Sequence, residues 1–138
     1  MPLPDEDIRV GIDAVAVERV RRLLVDHEGC ERELFTEREL EYCGAKRRRH
    51  EHLAARFAAK EAVLKAFGTG MSRSMRFSEV EVVNERSGRP AVVLGGAVAA
   101  FAERNGLRQL DISLTHTEGL ALAQAVAVWE RESVCAST

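Results

Sequence analysis

The chain has 138 residues, enough for one domain with a true core but not for two. Hydrophobic residues at 46% and charged residues at 30% make it globular rather than disordered. A net charge of −2 argues against a nucleic-acid-binding polycation, so an electrostatic partner must be met by a local patch.

Cys30, Cys43 and Cys135 are odd in number and show no CxxC spacing, which argues against a disulfide framework or a structural zinc site. The start, M-P-L-P-D-E-D-I, has neither the basic nor the apolar segment of a secretory signal, and no run of about 18 apolar residues could span a membrane. A reduced, cytoplasmic setting is expected.

In chain order, residues 1–7 read as a tail. Ile8, Val10 and Ile12 alternate with Arg9 and Gly11, predicting a strand that runs to Asp13. Val17, Val20 and Leu24 then take helical spacing among Glu18, Arg19, Arg21 and Arg22. Thr36 opens a short helix with Glu39 at the capping-box position. After four bases, Lys46 to Arg49, a long helix is expected from about Glu51 to Phe67, stopped by Gly68. Phe77 to Val83 alternates as a strand, residues 84–90 form a turn, Ala91 to Leu94 a short strand, and Ala97 to Asn105 a helix ending at Gly106. Leu110, Ile112 and Leu114 mark another strand. Leu120 to Trp129 marks the last, with Leu120, Leu122, Val126 and Val128 on one face and mostly alanine on the other, which invites close packing. Residues 131–138 read as a second tail. The fold class is α+β, a mostly antiparallel sheet packed on one long helix, in a single domain.

Candidate chemistry gathers on the long helix. Leu53, Phe57 and Leu64 make an apolar stripe; Glu61 lies beside it and Lys65 one turn further on, with the small side chains of Ala54 and Ala58 leaving room for a ligand. An ordinary i,i+4 ion pair would look the same. Asp13, at the end of a strand, could face Glu61 across a helix–sheet seam, and two carboxylates suit a hard cation such as Mg²⁺ with phosphate oxygens; it could equally cap the helix that follows. Ser113, Thr115, His116 and Thr117 offer three hydroxyls and an imidazole to a phosphate. Gly68-Thr69-Gly70 is not a Walker loop, yet it could close over a nucleotide beside Lys65.

Taken together, these segments resemble a family. G-x-D with Arg six residues on (Gly11, Asp13, Arg19), F-T-E-R-E-L-E-Y (Phe35 to Tyr42), F-A-A-K-E-A-V-L-K-A (Phe57 to Ala66), F-G-T-G (Phe67 to Gly70), G-R-P (Gly88 to Pro90) and S-L-T-H-T (Ser113 to Thr117) are similar, in this order, to the holo-acyl-carrier-protein synthases, the small class of the 4′-phosphopantetheinyl transferases.

The resemblance implies that fold and a Mg²⁺-dependent transfer of 4′-phosphopantetheine from coenzyme A to a serine of an apo acyl carrier protein, releasing adenosine 3′,5′-bisphosphate. Asp13 and Glu61 would hold the metal, and Lys65 would act with them in catalysis. Arg56, Lys65, Gly68, Gly70, Arg89, Pro90, Ser113, Thr115 and His116 would bind coenzyme A, and the general base would be Glu61 or a metal-bound water. Arg19, Arg21 and Arg22 would meet an acidic carrier protein. The family's usual assembly is a homotrimer with its sites between subunits, so G-R-P and S-L-T-H-T would face a neighbour's Asp13 and Glu61. One departure stands out: Ala16 occupies a position where the family often has glutamate, and Val15 offers no substitute, leaving two protein carboxylates for the metal.

Overall fold

The computed structural model describes residues 5–69 and 74–131. Strand β1 (Glu6–Ala16) begins within the stretch read as a tail and continues three residues beyond Asp13. It leads directly into α1 (Val17–Asp26), whose N-cap is Ala16, so Asp13 is not a capping residue. Two short helices follow, α2 (Cys30–Leu34) and α3 (Glu37–Gly44). Thr36 starts α3 with the expected capping box, its hydroxyl accepting from the Glu39 N–H and the Glu39 carboxylate accepting from the Thr36 N–H.

The long helix α4 (Arg49–Phe67) starts two residues before the expected position, taking in the last of the basic run, and ends where Gly68 adopts a left-handed φ of 73° that L side chains disfavour. The segment read as one strand from Phe77 divides in two. Residues Phe77–Glu79 form a 3₁₀ turn, and β2 (Val80–Asn84) follows. Glu79 makes the difference: its carboxylate accepts from the backbone N–H groups of Arg76 and Ala97, a long-range partnership invisible in local alternation. Strand β3 (Pro90–Leu94), helix α5 (Gly96–Arg104), β4 (Leu107–Thr117) and β5 (Leu120–Glu130) complete the chain.

The strands form two antiparallel sheets rather than one: β1-β5-β4, and the hairpin β2-β3. Helix α4 crosses the inner face of the three-stranded sheet. Its first turn reaches β4, where Glu51 meets His116, and its last turns reach β1, where Lys65 meets Ile12. The alanines of β5 (Ala121, Ala123, Ala125, Ala127) are buried on this inner face, as are Ala54, Ala58, Ala59 and Ala62 of α4. The small residues thus bring helix and sheet together. They neither leave room for a ligand at Ala54 and Ala58 nor present an alanine face to a neighbouring subunit. Trp129, Phe67 and Phe101 close one end of this core as edge-to-face and stacked rings. Along β1 the outer face of the sheet is apolar and open: Ile8, Val10 and Ile12 are 47%, 55% and 60% exposed.

The closest approach is at Gly11. A Cβ built there would lie 1.8 Å from the Ala62 carbonyl oxygen, backbone against backbone. Neither atom can move aside without displacing its element. Gly11→Ala should therefore cost about 3 kcal/mol, seen as a drop in Tm of roughly 10 °C in thermal denaturation of the metal-free protein; an unchanged Tm would show that this contact does not set the helix–sheet distance.

Candidate active site

The close approach at Gly11 sets Asp13, two residues along the same face of β1, beside Glu61 and Lys65 of α4. Lys65 Nζ donates to the Ile12 carbonyl oxygen at 2.9 Å and to Asp13 Oδ1 at 3.2 Å. Glu61 makes no salt bridge among the described residues. Burial and then the charge of Asp13 hold its carboxyl above the ordinary glutamate range, while Lys65 and Arg19 act in the opposite sense. Asp13 and Glu61 thus lie close enough to act on one another, with Lys65 and Arg19 as the cations nearby. Among the described residues no cluster of three or more His, Cys, Asp or Glu side chains occurs, so the donor set here is two hard oxygens. That set fits Mg²⁺, which takes one or two carboxylates together with water and phosphate, and does not fit zinc.

Beside this site lies a groove of about 480 Å³. Val15, Ala16, Val20, Leu23 and Phe57 give it an apolar floor, and Arg19 and Arg22 stand on its rim. The three arginines expected to act together differ in their pairing. Arg21 binds Glu18 at 2.8 Å and Arg22 lies 3.8 Å from the same carboxylate, whereas Arg19 makes no salt bridge among the described residues.

The other predicted residues gather elsewhere. His116 Nδ1 lies 3.4 Å from Glu51, and its ring meets His52, which in turn meets Tyr42. Burial first, then the nearby Arg56 and His116, pulls the His52 imidazole below the ordinary range. Arg56 is buried rather than reaching outward. Its Nη2 donates to Asn84 Oδ1 at 2.6 Å, its guanidinium lies 4.4 Å from the Tyr42 ring centre, and its Nε has no hydrogen-bond partner among the described residues. A pocket of about 180 Å³ lined by Arg38, Tyr42, Arg56 and Asn84 opens beside it. Arg89 pairs with Asp111, and Pro90 starts β3 next to Asn84 across the hairpin. Ser113 and Thr115 alternate with Leu114 and His116 and pair with Gln124 and Leu122, which places them on the outer face of the sheet. Gly68 follows Lys65 at the helix end, and Gly70 lies outside the described residues.

One chain therefore holds two separate clusters. Asp13, Glu61 and Lys65 sit toward the end of α4, while His116, Glu51 and Arg56 sit toward its start. Glu51 and Glu61 are ten residues apart on the helix, or about 15 Å at 1.5 Å per residue. Sequence reasoning read Glu39 only as a helix cap, missed the contacts of Tyr42, Glu51 and Asn84, whose partners are distant in the chain, and gave no role to Lys60.

The profile of the 4′-phosphopantetheinyl transferase superfamily matches residues 9–125. The holo-[acyl-carrier-protein] synthase of Desulforudis audaxviator is 42% identical over 132 residues, covering 90% of this chain and 95% of its own. That of Geotalea daltonii is 38% identical over 117 residues, 84% and 94% of the two chains. Among solved structures, the apo-ACPS of Chronobacterium ammoniagenes superposes with a TM-score of 0.83 at 31% identity, over 91% of this chain and 99% of that one. The ACPS–CoA complex from the same organism superposes at 0.81 and 32% identity over the same shares. The fold and site define a phosphopantetheine-transferring enzyme. The chain belongs to the 4′-phosphopantetheinyl transferase superfamily.

The elevated carboxyl of Glu61 has a sign that can be tested. A carboxyl whose folded pKa exceeds its unfolded value weakens the fold where it is ionised, and that cost disappears as pH falls through the folded pKa. Glu61→Gln should raise the Tm of the metal-free protein near neutral pH, and the gain should vanish once both states are protonated, below about pH 4. A lower Tm for Glu61→Gln at neutral pH would contradict the electrostatics described.

Proposed function

We propose that this enzyme is a holo-acyl-carrier-protein synthase, moving 4′-phosphopantetheine from coenzyme A to a serine of an apo acyl carrier protein. The observation that carries this reading is the meeting of Asp13, Glu61 and Lys65 beside an apolar groove with arginines on its rim. The relatives' names and the coenzyme A of the Chronobacterium complex point the same way.

In the transfer, the serine hydroxyl gives its proton to Glu61 or to a water, its oxygen bonds to the β-phosphorus of coenzyme A as the bond to the bridging oxygen breaks, and adenosine 3′,5′-bisphosphate leaves. Asp13 and Glu61 would hold Mg²⁺ through carboxylate oxygens. When bound, Mg²⁺ supplies Lewis-acid polarisation of the phosphoryl group and offsets charge on the leaving phosphate. Lys65 carries an ammonium on a half-exposed stem, and in the structure that ammonium rests on Asp13. It would move to the pyrophosphate, binding its oxygens and stabilising or protonating the one that departs. Arg19 and Arg22 steer the acidic face of the carrier into the groove, an attraction that weakens with salt. Arg21 contributes less, because Glu18 already holds it. The free thiols of Cys30 and Cys43 are consistent with a reducing, cytoplasmic setting.

The working form is a homotrimer. Two features support it: the open apolar outer face carrying Ile8, Val10 and Ile12, and the separation of the His116 cluster from Asp13 within one chain. In the assembly the S-L-T-H-T and G-R-P segments of one subunit, with Arg56 and His116, meet the coenzyme A phosphates held at Asp13, Glu61 and Lys65 of the next.

Intact-mass spectrometry of an apo acyl carrier protein with coenzyme A and Mg²⁺ should show the gain of one phosphopantetheine, absent with Glu61→Gln and without metal. Cleavage of coenzyme A with no mass gain on any carrier would instead identify a hydrolase. Val10→Glu should convert the trimer to monomers in light scattering and abolish transfer; a folded monomer that still transfers would show that each chain is complete.

A further inference from the structure

Lys60 lies within the helix motif, next to Glu61, yet its ammonium is wholly buried. It donates to Glu39 Oε1 at 2.8 Å, to the Val80 carbonyl at 2.6 Å and to the Phe77 carbonyl at 3.1 Å, which uses all three of its protons. Glu39 is as completely engaged. Its Oε1 also accepts from the Thr36 N–H, and its Oε2 accepts from the Val82 N–H at 2.9 Å. A buried ion pair of this kind is a poor source of net stability, because desolvation offsets most of the attraction. What it does supply is geometry: four chain segments, the start of α3, the middle of α4, the 3₁₀ turn and β2, are held at one point.

One of those segments bears on the acceptor groove. The carbonyl that Lys60 holds belongs to Phe77, and the Phe77 ring packs on the Phe57 ring, 5.5 Å between centres. Phe57 is the α4 residue that lines the groove, opposite the α1 side chains Val20 and Leu23 and one turn before Glu61. A connected set of contacts therefore runs from Glu39 through Lys60 and Phe77 to the wall against which an incoming protein would rest. Lys60 touches neither Asp13 nor Lys65.

We propose that Lys60, held by Glu39, is a positioning residue for the acceptor protein: through the backbone of Phe77 it fixes the Phe77–Phe57 ring pair that walls the acceptor groove. This rests on the carrier-protein reading of that groove. It assigns to Lys60 a part in acceptor binding and none in coenzyme A or metal binding.

The test is steady-state kinetics with apo carrier protein and coenzyme A varied separately. Glu39→Gln combined with Lys60→Met removes both buried charges together, so that neither is left unpaired. That variant, its fold checked by circular dichroism, should raise KM for the carrier about tenfold, with KM for coenzyme A and kcat changed less than about threefold. Phe77→Ala leaves the buried pair intact and should raise the carrier KM to a similar degree. Combined with the paired variant, it should add little, because both act on one wall. Phe77→Ala with a wild-type carrier KM would overturn the proposal whether or not the paired variant folds. So would a folded paired variant that loses kcat or coenzyme A affinity as much as carrier affinity. Absence of transfer by the wild-type enzyme in the same assay would instead remove the carrier-protein reading itself.

Discussion

The contact on which the rest of the molecule depends is the one between the backbone of β1 at Gly11 and the backbone of α4 at Ala62. Helix and sheet can meet this closely only where neither presents a side chain larger than a methyl group. The requirement extends outward from the contact: Ala58, Ala59 and Ala66 on the helix, and Ala121, Ala123, Ala125 and Ala127 on the neighbouring strand, are all buried. Alanine buries little area, so the centre of this core contributes modestly to the hydrophobic free energy of folding. The larger contributions come from its margins, where Leu53, Phe35, Phe67 and Trp129 are packed. The centre instead provides proximity. With the backbones in contact, Asp13 and the α4 carboxylate next to Ala62 fall within reach of a common ion.

Two neighbouring residues of α4 show how differently one helix can treat charge. Lys60 is entirely enclosed and has a partner for every proton, and although burial pulls its ammonium below the ordinary lysine range, Glu39 opposes that shift. Glu61 is only half enclosed, has no direct cation, and sits beside a second carboxylate. The first arrangement is finished and the second is not. A carboxyl held above its ordinary range by burial and a neighbouring carboxylate is the kind of perturbed group that gathers at functional sites, whereas a fully partnered pair such as Lys60–Glu39 is structural. The charge of Lys65 moderates this shift without cancelling it, since its ammonium lies on Asp13 and the Ile12 carbonyl, not on Glu61.

How much of this was legible in the sequence follows from the range of the interactions. The Thr36 capping box and the Gly68 stop depend on residues within a few positions, and both are readable, whereas β1 runs on past Asp13 because its pairing with β5 continues to Ala16. The facing of Asp13 and Glu61 across the helix–sheet seam is open to the sequence as a possibility at a strand's exit, and the motif order adds to it, while the Lys65–Asp13 bond joins residues 52 positions apart that nothing local links. The 3₁₀ turn at Phe77–Glu79 was hidden because F-S-E-V-E-V-V alternates throughout. Long-range bonds, from the Ala97 N–H to the Glu79 carboxylate 18 residues back and from Lys60 to the Phe77 carbonyl, set its first half apart from its second. The alanine face of β5 was visible, but not which way it turned, because an alanine stripe suits a helix and a neighbouring subunit equally well. The burial of Arg56 and Lys60 was not readable, since long basic side chains are normally at the surface and these are held inside by Asn84, Glu39 and Val80.

The path of α4 explains why one chain carries two separate clusters of charged side chains. A single helix of 19 residues spans the sheet from β4 to β1 and so carries Arg56 and Glu51 at one margin and Glu61 and Lys65 at the other. The two margins differ in their charged groups. At the β1 end, Glu61 lies beside Asp13, whose carboxylate accepts from Lys65. At the β4 end, Arg56 Nε has no hydrogen-bond acceptor among the described residues, and Glu51 lies against His116, whose ring meets His52. The helix holds these two groups of charged side chains apart within one chain, and the outer face of β1 beside them is apolar from Ile8 to Ile12. The constraint at Gly11 thus acts on the β1 end alone: it brings Asp13 against α4, and it leaves the surroundings of Arg56 to Tyr42 and Asn84.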